Sequence, residues 1–219
     1  MIIGISIDGV LRNLFGKMEE SHMKYFPKDE NDDDTKILDY DFEKWLIFPE
    51  EEVKQGEMEF NPEFNEKKFI EENSDTVLTK KIEQVTIEEF LYEKCTLEVF
   101  GYANEVSKNI MEVLNGLILE FPQHEFIIIS REIGLCVPST LFFLSKTSCM
   151  CQNIKFVKGF EDHWDYVDMM VTDHPNIINS KKFKPQVCVK IKKDFNKELK
   201  TKFEIESLKE FGEILKTIK

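Results

Sequence analysis

Six polar side chains stand at the ends of apolar runs, where buried strands would finish. They are Ser6, Asp8, Ser130, Lys158, Thr172 and Asp173. In an open parallel sheet, ligands bind beyond the carboxyl ends of the strands, so we expect these side chains to share one edge. A carboxylate there can transfer protons or bind a cation, and a lysine can bind a phosphate. Simpler structural interpretations also apply: turn-capping carboxylates for Asp8 and Asp173, and a solvated strand-end lysine for Lys158.

The elements that would position these side chains alternate between strand and helix. Apolar, β-branched runs predict strands at residues 2–7, 125–130, 154–157, 167–171 and 186–191. A helical apolar face extends over residues 106–121, and Pro138 suits the first position of a second helix. Ser207 and Glu210 form a capping box before a third helix. This alternation predicts an α/β fold: a three-layer, Rossmann-like arrangement around a mostly parallel sheet.

The ordered motifs resemble those of the haloacid dehalogenase (HAD)-like superfamily, and within it the small 5′(3′)-deoxynucleotidase-like phosphatases. Those proteins open with DxDGVL, end the second strand on Ser or Thr, supply a lysine, and close with an acidic pair written like DxLIDDRP. Here residues 6–11 read SIDGVL and residues 168–175 read DMMVTDHP. The resemblance implies one discontinuous HAD-like core at residues 1–16 and 101–219. It places residues 17–100 where the superfamily carries its cap insertion.

The resemblance also implies a chemistry. The first aspartate attacks phosphorus, the second transfers protons, and Mg²⁺ held by the first carboxylate and the closing acidic pair neutralises the phosphoryl oxygens. This chain has Ser6 at the nucleophile position and Thr172 at the first position of the acidic pair. A neutral hydroxyl does not replace a carboxylate ligand of a hard cation. We therefore expect no cofactor and a degenerate site, consisting of Ser6, Asp8, Ser130 and Lys158, with Asp8 and Asp173 as residual candidates for a metal ligand.

The insertion at residues 17–100 is acidic and rich in aromatic residues. Residues 29–75 contain 18 acidic residues and five lysines, so the rest of the chain is neutral as a whole. Disordered tails are poor in aromatic residues. We therefore expect either a largely helical cap packed on itself, with one helix opened by the capping box of Thr86 and Glu89, or a surface that docks onto a protein partner.

Charge and hydropathy exclude two kinds of partner. An anionic surface repels nucleic-acid backbones, so we expect no direct nucleic-acid binding. No apolar run reaches the roughly 18 residues that a membrane span needs, and the apolar start, MIIGISIDGV, lacks the basic segment and cleavage site of a signal peptide. We therefore expect no membrane association.

The remaining reactive residues predict no further site. Five cysteines without framework spacing predict free thiols in a reducing compartment. Cys149 and Cys151 form a CxC pair without two further ligands, and the four histidines lack zinc spacing, although His163 and His174 lie near the predicted edge. Arg12 follows the DGVL turn and either forms a local salt bridge or contacts a ligand.

Three functions remain open at this stage. The first is a catalytically inactive HAD-like pseudoenzyme that acts as a structural or protein-interaction component through residues 17–100, in the cytoplasm or in a phage virion. The second is a divergent Mg²⁺-dependent phosphatase or 5′-nucleotidase that acts on phosphomonoesters. The third is a binder of phosphate ligands that does not hydrolyse them, using Lys158 and amides near Gly9. We favour the first, because two expected metal carboxylates are missing while the strand framework is kept.

Overall fold

The computed structural model describes residues 1–25, 95–131, 134, 136–181, 183 and 185–218. The strands are β1 (Ile2–Ser6), β2 (Glu125–Ser130), β3 (Asn153–Phe156), β4 (Met169–Thr172), β5 (Val187–Ile191) and β6 (Phe203–Ile205). The α-helices are α1 (Leu14–Tyr25), α2 (Ile110–Glu120), α3 (Cys136–Lys146), α4 (Pro175–Asn179) and α5 (Phe211–Thr217). The short turns are a π-helical turn at Leu97–Gly101 and 3₁₀ turns at Glu161–Tyr166, Asp194–Asn196 and Leu208–Glu210.

The six described strands form one sheet in the order β3-β2-β1-β4-β5-β6, and all neighbouring strands are parallel. The chain moves outward from β1 to β3 and then returns to the other side of β1 with β4. The strand order therefore reverses beside β1, and the carboxyl ends of β1 and β4 form the crevice where such sheets bind ligands. The predicted α/β fold with a mostly parallel sheet is confirmed.

Separate apolar clusters cover the two faces of the sheet, because side chains alternate along each strand. Ile3, Ile5 and Ile7 join the cluster that includes buried residues of α2 and α5. Gly4 faces the other cluster, since a Cβ on Gly4 would meet the side chain of Met170. Helices on both faces complete the three layers, and the alternation assigns Ser6 to the face of Gly4.

Several predicted element boundaries are wrong. The helix predicted over residues 106–121 begins only at Ile110, because Asn109 adopts a left-handed φ of 66°. Pro138 is the third residue of α3 and not the first, although it still lies in the first turn, where a backbone N–H has no helical acceptor. Ser207 accepts a hydrogen bond from the Lys209 N–H and opens a 3₁₀ turn, so α5 starts later, at Phe211.

The last strand of the sheet was not predicted. The strand β6 contains only three residues, Phe203–Ile205, and follows a lysine-rich stretch that carries no strand pattern. It pairs along one side with β5, where Val189 lies opposite Phe203. A strand this short is specified by its neighbour more than by its own side chains.

Other expectations from the sequence have mixed outcomes. None of the five cysteines, all within the described ranges, forms a disulfide, as the sequence predicts. None of the helices in the described ranges is long and apolar enough to cross a membrane. Thr86 and Glu89 lie outside the described residues, as does most of the insertion. The domain division at residues 16 and 101 therefore stays a prediction.

Candidate functional site

Two hydroxyl groups stand side by side at the crevice between β1 and β4. Ser6 ends β1 and Thr172 ends β4, and the pairing of Ile5 with Val171 places Ser6 opposite Thr172. Alternation puts both side chains on the same face of the sheet. Ser6 is 6% exposed and Thr172 is fully buried. The structure thus brings together the two positions at which the sequence departs from the HAD-like pattern.

The Thr172 hydroxyl is engaged in the turn that follows β4. Its Oγ1 accepts a hydrogen bond from the His174 N–H at 3.1 Å. The Nδ1 of His174 accepts the Asn176 N–H, also at 3.1 Å, and so caps α4, whose first residue is Pro175. Thr172 therefore helps to shape the strand-to-helix turn.

Asp8 is held in a bidentate ion pair by Arg12. The turn after β1 folds back so that the Leu11 and Arg12 N–H groups donate to the Ile7 carbonyl at 2.9 and 2.8 Å. Nε of Arg12 lies 2.7 Å from Oδ1 of Asp8, and Nη2 lies 3.0 Å from Oδ2. Both carboxylate oxygens are thus used by a planar, charge-assisted contact, the stronger kind of ion pair.

Arg12 also ties this turn to two other elements. Its side chain is completely buried. Nη1 donates to the Phe100 carbonyl at 3.0 Å and to Oγ1 of Thr140 at 2.7 Å. The guanidinium carbon lies 5.1 Å from the centre of the Phe100 ring and 5.6 Å from that of Phe143. One cation therefore joins the turn after β1, the π-helical turn and α3.

Asp173 is buried beside the same turn. Burial raises the pKa of its carboxyl group to about 7, against the opposing effect of Lys193. Gly9 adopts a φ of 75°, and a Cβ on it would overlap the Asp173 carboxyl group. Burial thus favours the protonated, neutral form of this carboxyl group, which binds a cation less well than the carboxylate does.

Ser130 and Lys158 lie at the same edge of the sheet but differ in environment. Ser130 is 2% exposed, and its Oγ has no hydrogen-bond partner within the described part of the chain. Lys158 follows β3 with an exposed side chain, while its carbonyl accepts the Arg131 Nε–H at 2.7 Å. A buried hydroxyl without a hydrogen-bond partner lowers the stability of the folded state. Ser130 therefore needs an explanation that the solvent-exposed Lys158 does not.

A stack of rings borders this edge. The Arg131 guanidinium lies 4.1 Å from the centre of the Phe160 ring, which stacks on His174 at 4.4 Å. Burial lowers the pKa of His174 to about 3 and that of His163 to about 4. Nδ1 of His163 lies 3.1 Å from the Phe160 carbonyl. Both imidazoles are therefore neutral packing groups at neutral pH.

The described donor set does not fit the Mg²⁺ that the resemblance implies. Hard cations take carboxylate and carbonyl oxygens, whereas positions 6 and 172 supply neutral hydroxyls. Both oxygens of Asp8 accept hydrogen bonds from Arg12, and burial favours the neutral form of Asp173. Across residues 1–25 and the described part of 95–218, no group of three or more His, Cys, Asp or Glu side chains could hold a metal ion.

Comparison with solved structures identifies the fold as that of the HAD-like hydrolases. The protein YfnB from Bacillus subtilis, described as a HAD-hydrolase and bound to magnesium, matches with a TM-score of 0.59 and 12% identity over 98% of each chain. L-2-haloacid dehalogenase from Xanthobacter autotrophicus, with chloropropionic acid covalently bound, matches with a TM-score of 0.55 and 10% identity. That alignment covers 100% of this chain and 99% of the dehalogenase.

A third similar structure is a haloacid dehalogenase-like hydrolase from Burkholderia xenovorans, with a TM-score of 0.53 and 12% identity over 97% of this chain and 95% of that one. No protein-family model matches the sequence, and no curated protein matches it. Sequence identities this low establish a shared fold but not a shared activity. Any activity has to be inferred from the residues of the site. The resemblance to the HAD-like superfamily is confirmed at the level of the fold.

The sequence left the role of Arg12 open between a local salt bridge and a ligand contact. The structure shows the salt bridge, together with contacts to Phe100 and Thr140 that no sequence pattern indicates. One feature of the sequence is compatible with the salt bridge, since Arg12 follows Asp8 by four residues. Arginine can form a buried bidentate contact with a carboxylate that lysine cannot form.

Proposed function

We propose that this protein is a catalytically inactive HAD-like pseudoenzyme that acts as a protein-interaction component. The observation that carries the proposal is the adjacent pair of hydroxyls, Ser6 and Thr172, where the resemblance expects a nucleophilic carboxylate and a metal ligand. Loss of a catalytic nucleophile can reduce turnover by about 10⁶-fold, by analogy with protease triads. Loss of two carboxylates at one site also weakens the binding of the cation that would offset phosphoryl charge.

The ion pair of Asp8 with Arg12 supports the same proposal. A proton-transfer group must reach its substrate within hydrogen-bond distance. Here both Asp8 oxygens already accept hydrogen bonds from Arg12, at 2.7 and 3.0 Å. Asp8, the acidic residue that the motif retains, therefore has a structural role as the ion-pair partner of Arg12. That role accounts for an aspartate at this position in a protein without catalytic activity.

An exposed apolar patch supports the interaction role. We define the apolar patch as four large side chains on the π-helical turn, the residue after it, and α3: Leu97, Tyr102, Leu141 and Phe142, with exposures of 49, 54, 43 and 39%. The Tyr102 and Phe142 rings lie 5.2 Å apart. Contiguous exposed apolar side chains mark interaction sites more often than scattered ones. The patch overlaps the end of the predicted docking region at residues 17–100, because Leu97 belongs to both. Either a cytoplasmic regulator or a virion component would use such a surface.

Mg²⁺ binding, measured by titration calorimetry, tests the catalytic half of the proposal. We expect the wild-type chain to give no saturable heat up to about 10 mM Mg²⁺, well above the range of strong carboxylate sites. The variant Ser6→Asp/Thr172→Asp should gain measurable affinity, whereas the neutral, equally large Ser6→Asn/Thr172→Asn should not. Saturable wild-type binding that Asp173→Asn abolishes would contradict the proposal.

Site-specific photo-crosslinking tests the interaction half. A benzophenone amino acid at position 142 should give a discrete protein adduct in cells that naturally contain the protein. The matched control is position 119, because Leu119 is a single exposed leucine on α2, outside the apolar patch. Equal adducts at both positions, or none at position 142, would refute a docking role for the patch.

One observation favours a second candidate, a phosphate binder that does not hydrolyse its ligand. The buried Oγ of Ser130 has no hydrogen-bond partner among the described residues, and the exposed Lys158 follows the neighbouring strand. Equilibrium dialysis with labelled inorganic phosphate would test this function. Binding that Ser130→Ala weakens about tenfold would favour it, and the absence of binding would exclude it.

A further inference from the structure

A cleft opens at the end of the sheet opposite the candidate functional site. It has a volume of about 520 Å³ and lies between the end of α4, the first residues of β5 and the loop before β6. Since both strands start there, the cleft lies at their amino-terminal edge, whereas Ser6 and Thr172 end their strands. The two sites are therefore separate.

Three lysines and several apolar residues contribute to the lining of this cleft. Lys181, Lys200 and Lys202 contribute to its lining and are exposed. Ile178 and Leu199 are among the apolar residues of the lining, and no aspartate or glutamate is part of it. The cleft thus offers several ammonium donors beside apolar surface.

These lysines have no acidic ion-pair partner among the described residues, unlike two other lysines of β5 and the loop after it. Lys190, two residues after Cys188 in β5, is buried and lies 2.9 Å from Glu204, and Lys192 is paired with Glu206. The local sequence is strongly basic: residues 181–202 contain nine lysines and two acidic residues, in a chain with a net charge of −13. A local excess of one charge sign inside a concavity concentrates ligands of the opposite sign.

We propose that this cleft binds a small organic anion with two or more negative groups on an apolar body. Its volume falls in the range of about 300–1,000 Å³ that is typical of small-molecule sites. Lysine ammonium groups bind phosphate, sulfate or carboxylate as point charges and do not require one anion geometry. The concave shape favours a compact ligand over an extended polyanion, which would need a row of cations along an open surface.

The probe for the test is 8-methoxypyrene-1,3,6-trisulfonate, a fluorescent aromatic trianion, titrated against the full-length chain by fluorescence anisotropy. We expect saturable binding with one site per chain, which weakens as salt rises from about 50 to 300 mM. The variant Lys181→Gln/Lys200→Gln/Lys202→Gln should bind about 10- to 100-fold more weakly, because three exposed charge contacts are lost.

The matched control is Lys108→Gln/Lys209→Gln/Lys216→Gln, which removes the same charge from exposed lysines outside the cleft. Its affinity should stay within about threefold of the wild type. Equal weakening in both triple variants would show that only net charge matters and would overturn the proposal. Absence of saturable wild-type binding, or binding of a DNA duplex without binding of the trisulfonate, would also overturn it. None of these outcomes depends on whether Ser6 and Thr172 have lost catalysis.

Discussion

Replacing Arg12 by methionine removes a side chain that joins three elements near the candidate site. Arg12 is completely buried and donates to Asp8, Phe100 and Thr140, with four contacts between 2.7 and 3.0 Å. Methionine keeps much of the side-chain volume, so packing against Phe100 and Phe143 is largely retained. The variant therefore isolates the loss of charge and hydrogen bonds.

The expected loss of unfolding free energy depends on the groups that lose Arg12 as their hydrogen-bond partner. Asp8 is 25% exposed and would lose its ion-pair partner, while the Phe100 carbonyl would lose a buried donor. Removing one partner of a buried ion pair typically costs about 3–5 kcal/mol. Since Asp8 retains some contact with water, we expect the lower end, about 3 kcal/mol less free energy of unfolding.

Urea unfolding followed by circular dichroism measures this loss. Lys24→Met is the control, because Lys24 pairs with Glu98 at 3.1 Å but is 59% exposed, and exposed pairs contribute less than about 1 kcal/mol. The variant Asp8→Asn completes a double-mutant cycle with Arg12→Met, and we expect a coupling of about 1–3 kcal/mol between the two positions. A loss below about 1 kcal/mol for Arg12→Met would refute the structural role assigned to the ion pair.

Two further predictions concern the effect of glycine substitutions and of pH on stability. Gly9→Ala should lower the free energy of unfolding by about 1–3 kcal/mol, because Gly9 has a φ of 75° and a Cβ would overlap the Asp173 carboxyl. Gly116→Ala, in α2 with open space around it, should instead raise the free energy of unfolding by about 0.5–1 kcal/mol. Urea unfolding measures both changes, and a loss at both glycines would contradict this prediction. As pH falls from about 6.5 to 4, stability should decrease, since unfolded histidines accept protons that His163 and His174, with pKa values of about 4 and 3, do not accept when folded. Asp173, with its pKa raised to about 7, binds a proton in the folded state through this window and opposes the loss, so Asp173→Asn should steepen the decrease, by roughly 1.4 kcal/mol per pH unit.

The sequence predicted the sheet because its strands have a simple signal. Buried parallel strands are short apolar runs, and β2 was predicted with the bounds that the structure has, Glu125–Ser130. The carboxyl ends of such strands meet at one edge, so the ordered motif was enough to place Ser6 and Thr172 in the same crevice. The helix boundaries were less accessible, because the left-handed conformation of Asn109, which delays α2, has no strong sequence signal.

The contacts within the site were beyond the sequence for a different reason. Arg12 reaches Phe100 and Thr140, which lie 88 and 128 residues away, and only the folded chain brings these groups together. The raised pKa of Asp173 likewise follows from burial in three dimensions. The excess of lysine at residues 181–202 is visible in the sequence, but the net charge of the chain outside residues 29–75 is zero and hides it. Only the structure shows that three of these lysines line one cleft.

The most direct test of the central claim is Mg²⁺-dependent turnover by the wild-type chain. The substrates are p-nitrophenyl phosphate and a panel of nucleoside monophosphates, with the release of inorganic phosphate as the readout. The account predicts turnover no higher than that of the Asp8→Asn variant and no change on adding EDTA, because Ser6 and Thr172 supply no nucleophilic or metal-binding carboxylate. Turnover that requires Mg²⁺ and is abolished by Asp8→Asn would contradict it.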